Sequence, residues 1–434
     1  MSRIQQPGRI LYSILSVYYD DIVDTWPRQL ENMTLDFIAQ EYVKLVLLLG
    51  QHHTDYVDAY YGPDNWSPQT KPRPLAELLI RALTLSETLN VVGCNSQQKQ
   101  RKQLLVIQLN SVISFIRMLQ GNTLSFQEES RQVYDTYSPE VDTKQLDSAL
   151  AELNQLLPGA NELNQKLNDY FQALIVPTDK VSSVFSAAIT EAKNRSKQYI
   201  ALPQTESFKL ELVKDQVWSG YNWYKGAAHS VIQLNTDFPL HIHRALDLAC
   251  HEGYPGHHLF NSLIEKHLVN ELGWMEYCIY PLFSPISLLA EGSANYGIEL
   301  TFPPSERLSF ERDVLFPLAG IAPSKADMLA QVRQQVQKLA YADNWVAEHY
   351  LDGKITKEQA IELLMKYALT DKEKSTQRIR FIEANRAYVI NYNLGQDLVK
   401  NYVERHAASD SQEAKWQAFS TLLKNPKTAS MMRA

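Results

Sequence analysis

The segment ALDLACHEGYPGHHLF, residues 245 to 260, gathers residue types that bind and use a metal ion. A catalytic zinc site ordinarily takes three protein ligands and keeps one position open for water or substrate. In the usual helical arrangement two histidines stand at i and i+4, and the glutamate after the first acts as general base. His251 and Glu252 match the start of that pattern, but the i+4 position is Pro255. Two histidines follow late, His257 and His258. On an unbroken helix His257, at i+6, would point about 120° away from His251, and His258 would lie roughly 10 Å along the axis. Neither could then share an ion with His251. The helix is not expected to be unbroken, because Pro255 offers no N–H and crowds the carbonyl of His251. Gly253 and Gly256 permit a sharp reversal. The Tyr254-Pro255-Gly256 stretch therefore reads as a kink that returns one late histidine to the first. His257 is favoured and His258 is the reserve.

A third ligand stands forty residues on. SLLAEGSANYGIEL carries Glu291 in a helical pattern, with Asn295 at i+4 on its face and Glu299 toward the same side. Asp247, one turn before His251, is placed to accept that imidazole's N–H and orient it. Asp247, Asn295 and Glu299 are thus expected supports of the ligands. His241 and His243 are near enough to join them. Each histidine alone reads more readily as a solvated or core residue; the combination of small sheet, His-Glu helix and a later Glu is what points to metal chemistry.

The surrounding elements are mainly helical. LDFIAQEYVKLVLLLG, RPLAELLIRALTLSETL and KQLLVIQLNSVISFIRMLQG repeat apolar residues at three and four, as does QLDSALAELNQLL before Pro158-Gly159. DKVSSVFSAAITEAKNRSKQYI continues the pattern to Pro203. Then the period changes. ESFKLELV alternates as a half-buried strand, and YNWYKGAAHSVIQLN reads as two more strands about a glycine turn. Helical patterns resume near 242 and include 286–301, 324–349, 355–369 and 374–404. The expected fold is mainly α, with one small antiparallel sheet beside the active cleft. Residues 1–200 form a helical wall and 201–434 the catalytic half. The strand ending at Leu234-Asn235 is expected to pair with an extended peptide by edge addition.

Composition sets bounds. With 45% hydrophobic and 21% charged residues the chain is that of a globular protein. The net charge of −7 and the interspersed signs exclude a nucleic-acid surface. Three cysteines without a CxxC favour free thiols and a reducing compartment, hence the cytoplasm. The N-terminal apolar run breaks at Ser and Tyr and meets Asp20 and Asp21, so it reads as an amphipathic helix. VKLVLLLG is too short to span a bilayer, and no membrane partner is expected. Oligomeric state is not legible.

HEGYPGHH at 251–258 resembles the signature of the bacterial "domain of unknown function 885" family, which looks like a divergent relative of the helical gluzincin metallopeptidases. VIQLNTDFPLHIHRALDLAC is similar to that family's lead-in, and AEGSANYGIE to its segment bearing the downstream ligand, here Glu291. YVINYNLGQ resembles a segment with Tyr three before Gly, matching Tyr392 and Gly395. TDYVDAYYGPDNW is similar to a branch of the same group. Where the family has Trp after Glu-Gly, this chain has Ser293. The resemblance implies a large helical metallopeptidase-like fold and a Zn²⁺ hydrolase of a peptide or small amide. His251, His257 and Glu291 would hold the ion, which lowers a water's pKa toward ~7. Glu252 would be general base and Tyr392 a donor to the oxyanion. Two rivals stand beside this: a hydrolase of a non-peptide amide, and a non-catalytic helical peptide-binding protein.

Overall fold

A computed structural model describes residues 34–216 and 218–434. The expected N-terminal amphipathic helix falls outside those residues. The rest is mainly helical, as the apolar periods predict. The segment LDFIAQEYVKLVLLLG forms the helix Leu35–Gly50, and Thr34 caps it by accepting from the Phe37 N–H at 3.2 Å. It is buried nearly all round, through Ile38, Tyr42, Val46 and Leu49 among others. One apolar core runs from Leu35 to Met432 and draws on both halves of the chain.

Two expected helices are each broken. The 324–349 pattern divides into Ala326–Gln337 and Ala342–Leu351. The 374–404 pattern divides at Arg386, whose φ is +50°, into Lys372–Asn385 and Ile390–His406. Buried Glu129 holds the second break: it accepts from Arg386 Nε at 2.6 Å and from the Ala387 N–H at 3.1 Å. This reversal swings Tyr388 and Tyr392 toward the centre of the molecule. No periodicity could announce it, because it depends on a carboxylate 257 residues away.

The sheet forms where the period changes. β1 is Val57–Tyr60, β2 Ser207–Val213, β3 Gly220–Tyr224, β4 His229–Asn235 and β5 Ile279–Pro281. β3 and β4 make the expected antiparallel hairpin, and β2 joins β4 on its other side in parallel. β1 and β5 form a separate antiparallel pair. In the β3–β4 turn, Gly226, Ala227 and Ala228 all have positive φ. The Glu265 carboxylate accepts from Ala227 N–H at 2.9 Å and Ala228 N–H at 3.2 Å, which stabilises a backbone that two alanines adopt at a cost.

The helix Pro285–Thr301, which carries Glu291, crosses Ile390–His406 at two glycines. A Cβ on Gly292 would lie 2.3 Å from the Gly395 backbone, and one on Gly395 would lie 2.7 Å from Leu288 O. The helices approach this closely only because neither residue has a side chain. Gly292→Ala is therefore expected to destabilise the fold by about 1–3 kcal/mol or more through overpacking. An unchanged urea midpoint would refute that account of the crossing.

Candidate metal centre

The helix Ile242–Leu248 does not stop at the motif. It widens into a π turn over Ala249–Gly253, and Tyr254 then becomes extended. The Tyr254–Pro255 peptide is cis, and a new helix starts at His257. The Gly256 N–H donates to Cys250 O at 2.9 Å. A Cβ on Gly256 would lie 1.9 Å from His251 O, so this return of the chain requires glycine. π segments of this kind recur at functional sites, because the extra residue re-aims the side chains around it.

The reversal brings three sequence-predicted groups together. Nitrogen and oxygen atoms of His251, His257 and Glu291 lie within 4.8 Å of one another. The two Nε2 atoms are 3.1 Å apart, and Glu291 Oε2 is 3.3 Å from His251 Nε2. Glu291 Oε1 is 3.7 Å from His257 Nε2 and accepts from the Tyr388 hydroxyl at 2.8 Å. Tyr388 was not anticipated. Its spacing from Tyr392, one helical turn earlier, was the available signal.

Asn295 fixes the tautomer of His251. Its Nδ2 donates to Tyr392 O at 3.0 Å, so its Oδ1 must be the atom 2.9 Å from His251 Nδ1. Whenever His251 is neutral it therefore carries its proton on Nδ1, which leaves Nε2, the nitrogen nearest Glu291 and His257, as the one that can offer a lone pair. Asp247 does not do this work, contrary to expectation. Its carboxylate pairs with Arg307 Nη1 at 2.8 Å, with Arg244 more distant at 3.8 Å. The π turn begins two residues after Asp247 and takes His251 off its face, while buried Arg307 requires a counter-charge. Glu299 is likewise displaced from the centre. It pairs with Lys400 at 2.6 Å, and eight residues of helix place it about 12 Å beyond Glu291.

The Asp247 finding carries a pH prediction. Despite its burial, Arg307 and then Arg244 hold its carboxyl down to about 2, below the usual 3.8. A depressed carboxylate contributes stability above its unfolded pKa and loses it as pH falls through the folded value. Asp247→Asn is expected to cost about 2 kcal/mol at pH 7 and little at pH 2, measured by urea unfolding at both. Equal losses at the two pH values would dismiss the ion pair as the cause.

His258 points elsewhere. Its Nδ1 meets Ser230 Oγ at 2.7 Å and its Nε2 meets Glu206 Oε1 at 2.9 Å. Glu206 also accepts from Tyr254 and pairs with Lys193 at 2.8 Å. The Ser230-His258-Glu206 chain has the makeup of a nucleophilic triad, but Ser230 and His258 are 0% exposed, so substrate cannot reach it. It ties the start of the new helix to β4 and to Glu206, the residue before β2.

Electrostatics at the centre favour one positive charge between the imidazoles and the carboxylate. Burial acts to raise Glu291, but His257 and His251 together with the Tyr388 hydroxyl outweigh it and hold the carboxyl down to about 2. Burial lowers His257 to about 4. Burial also opposes protonation of His251, yet Glu291, Glu252 and Asn295 lift it to about 9. Glu252 is pushed up to about 7 by burial, with Glu291 and Asp58 adding to it. Asp58, on β1, was not singled out from the sequence. It accepts from the Tyr221 hydroxyl on β3, and burial raises it to about 6.

The donor set fits a divalent ion on the structure's own terms. Glu291 Oε2 is buried with no well-formed hydrogen bond, 3.3 Å from His251 Nε2, and Asn295 at Nδ1 leaves that Nε2 as the nitrogen available to an ion. Two imidazole nitrogens and one carboxylate oxygen are the ligand types of a three-residue catalytic site.

A cleft of ≈ 970 Å³ opens beside the centre. Tyr392 and Leu248 line it, as do Leu234 and Asn235. Edge addition at Leu234-Asn235 does not hold, however. β4 is the central strand, so Leu234 is already flanked by Leu212 on one side and Gly220 on the other. Its backbone has no free edge for a peptide. Gly220, at the start of β3, lies against Glu252: a Cβ there would be 3.5 Å from Glu252 Oε1 and 3.0 Å from Leu248 Cδ2. Gly220 is thus close both to cleft-lining Leu248 and to the buried Glu252 carboxylate.

No family model matches the chain, and no curated protein matches it either. Solved structures do. A protein from Colwellia psychrerythraea, described as a candidate lipoprotein, is 15% identical with a TM-score of 0.52, over 85% of this chain and 70% of that one. A candidate lipoprotein of unknown function from Shewanella oneidensis is 13% identical with a TM-score of 0.44, over 80% and 72%. The M32 carboxypeptidase of Deinococcus radiodurans R1 is 12% identical with a TM-score of 0.35, over 90% and 89%. The Colwellia likeness is one of fold. Among the described residues, no helix is long and apolar enough to cross a membrane. Ser293, where the resembling family has Trp, is fully buried and bonds back to Ala290 O at 3.1 Å, so it does not line the cleft.

Proposed function

We propose that the chain is a zinc-dependent hydrolase of amide bonds, acting as a peptidase. The observation that carries this reading is the convergence of His251, His257 and Glu291, with buried Glu252 next to His251 in the chain, close to a cleft that Leu248 and Tyr392 line. Zinc held by these three groups would supply Lewis-acid polarisation of an amide carbonyl and acidify water. Glu252, with its pKa raised to about 7, is suited to take a proton from water and return it to the leaving amine. Tyr392 lines the cleft and remains the proposed donor to the oxyanion, with Tyr388 holding Glu291. Phe171, Val176 and Val181 line the cleft, which supports the N-terminal half as part of its wall. Three free cysteines support a reducing compartment, the cytoplasm.

The test pairs metal content with turnover. The purified protein should carry close to one zinc per chain and cleave unstructured peptides; chelation should remove both and zinc should restore both. Cleavage of simple aryl amides but not peptides would favour the non-peptide reading. A zinc-loaded protein that cleaves neither would favour the binding protein.

A further inference from the structure

The cleft is electrically unlike the rest of the molecule. The chain carries a net charge of −7. The cleft lining nevertheless holds Arg244, Lys374 and Arg378 against a single carboxylate, Asp343. Lys374 and Arg378 share one face of the helix Lys372–Asn385 at i and i+4, with Gln377 and Phe381 completing the stripe.

Arg378 is built for recognition rather than left on a surface. Asp343 takes its Nη2 at 2.8 Å, and its guanidinium stacks over Phe381 at 4.7 Å. Its Nε is buried and has no hydrogen-bond partner. Asp343 Oδ1 beside it is likewise buried and unpartnered, but the Arg378 side chain is 30% exposed, and a planar, held guanidinium offers its remaining N–H donors best to a carboxylate. Arg244 is half-exposed and Lys374 more so, each with only a distant carboxylate, at 3.8 Å and 3.6 Å. Both therefore keep charge to offer. The cations also lie close to the chemistry. Arg244 is on the helix that leads into His251, and Tyr392 lines the same cleft as Arg378.

We propose that the cleft selects substrates by a carboxylate, which Arg378 receives while Lys374 and Arg244 supply the surrounding positive field. This rests on the hydrolase reading for calling the ligand a substrate. The carboxylate has two possible sources, a free C-terminus or an acidic side chain near the bond cleaved. A cleft lined by three cations and one carboxylate in an acidic protein also concentrates anions and speeds their entry.

The probes are N-acetyl-trialanine, its C-terminal amide, and the amide of N-acetyl-Ala-Glu-Ala. They are titrated calorimetrically into the Glu252→Gln protein, so that none is consumed. At least one carboxylate peptide should bind about tenfold or more tightly than the neutral amide, as one charged hydrogen bond provides. Preference for trialanine alone identifies the C-terminus as the source; preference for the glutamyl peptide identifies the side chain. Arg378→Gln should erase the preference. Should that variant not fold, the exposed pair Lys374→Gln and Arg244→Gln should reduce it and flatten its salt dependence. Equal binding of all three peptides, or a preference untouched by these variants, overturns the proposal. Turnover by the unmodified protein is scored separately. Carboxylate-selective binding without turnover would sink the hydrolase reading alone, whereas equally rapid cleavage of acid and amide would sink the carboxylate proposal alone.

Discussion

Glu252→Gln is expected to reduce turnover by about 10³-fold or more while zinc stays bound at the same stoichiometry. The substitution keeps the shape of the side chain and removes its capacity to take a proton. Glu252 is not one of the three converging donors, and its backbone O remains free to accept from Asn222 Nδ2 at 2.7 Å. The fold and the ion should therefore both survive. Turnover and metal content measured on one sample decide it. Loss of both together would make Glu252 a ligand instead; retention of both would remove it from the chemistry.

The second large effect separates adjacent histidines. His257→Ala is expected to weaken zinc binding by more than about a hundredfold, beyond the loss typical of a residue that only orients a ligand. It should leave thermal stability of the metal-free protein nearly unchanged. His258→Ala should do the reverse. Removing it opens a cavity in a buried position and deprives Ser230 and Glu206 of a partner, at a cost of about 2–4 kcal/mol. Folded His258→Ala protein should still bind zinc. Metal stoichiometry and urea unfolding on each variant give two independent axes. If His258→Ala lost the metal without loss of stability, the ligand assignment would move to His258.

Much of the frame was legible in the chain. Helix periodicity is a local property, so Leu35–Gly50 and Pro285–Thr301 appear where their apolar patterns place them. The strand alternation in ESFKLELV and the glycine turn before His229 are local too. Pro255 between two glycines announced a reversal inside the motif, since a proline excludes an unbroken helix there. Glu291 and Asn295 were legible together because i and i+4 share a helical face.

What the chain alone left open depends on long-range partners. Whether His257 or His258 faces His251 is settled by the π turn and by the close contact of Gly256 with His251 O, neither of which has a periodic signature. Asp247 looked like the orienter of His251 because helical spacing was assumed through a segment that widens, and because Arg307 lies sixty residues away in sequence. Leu234-Asn235 looked like a free edge because a strand's sequence does not say how many neighbours it has. Tyr388 reaches Glu291 only because Glu129 reverses the chain at Arg386. The sequence by itself determined which residues have the chemistry to hold a metal and move a proton. The tertiary structure decided which of them meet, because a meeting is set by contacts between segments far apart in the chain, and local pattern carries no record of those contacts.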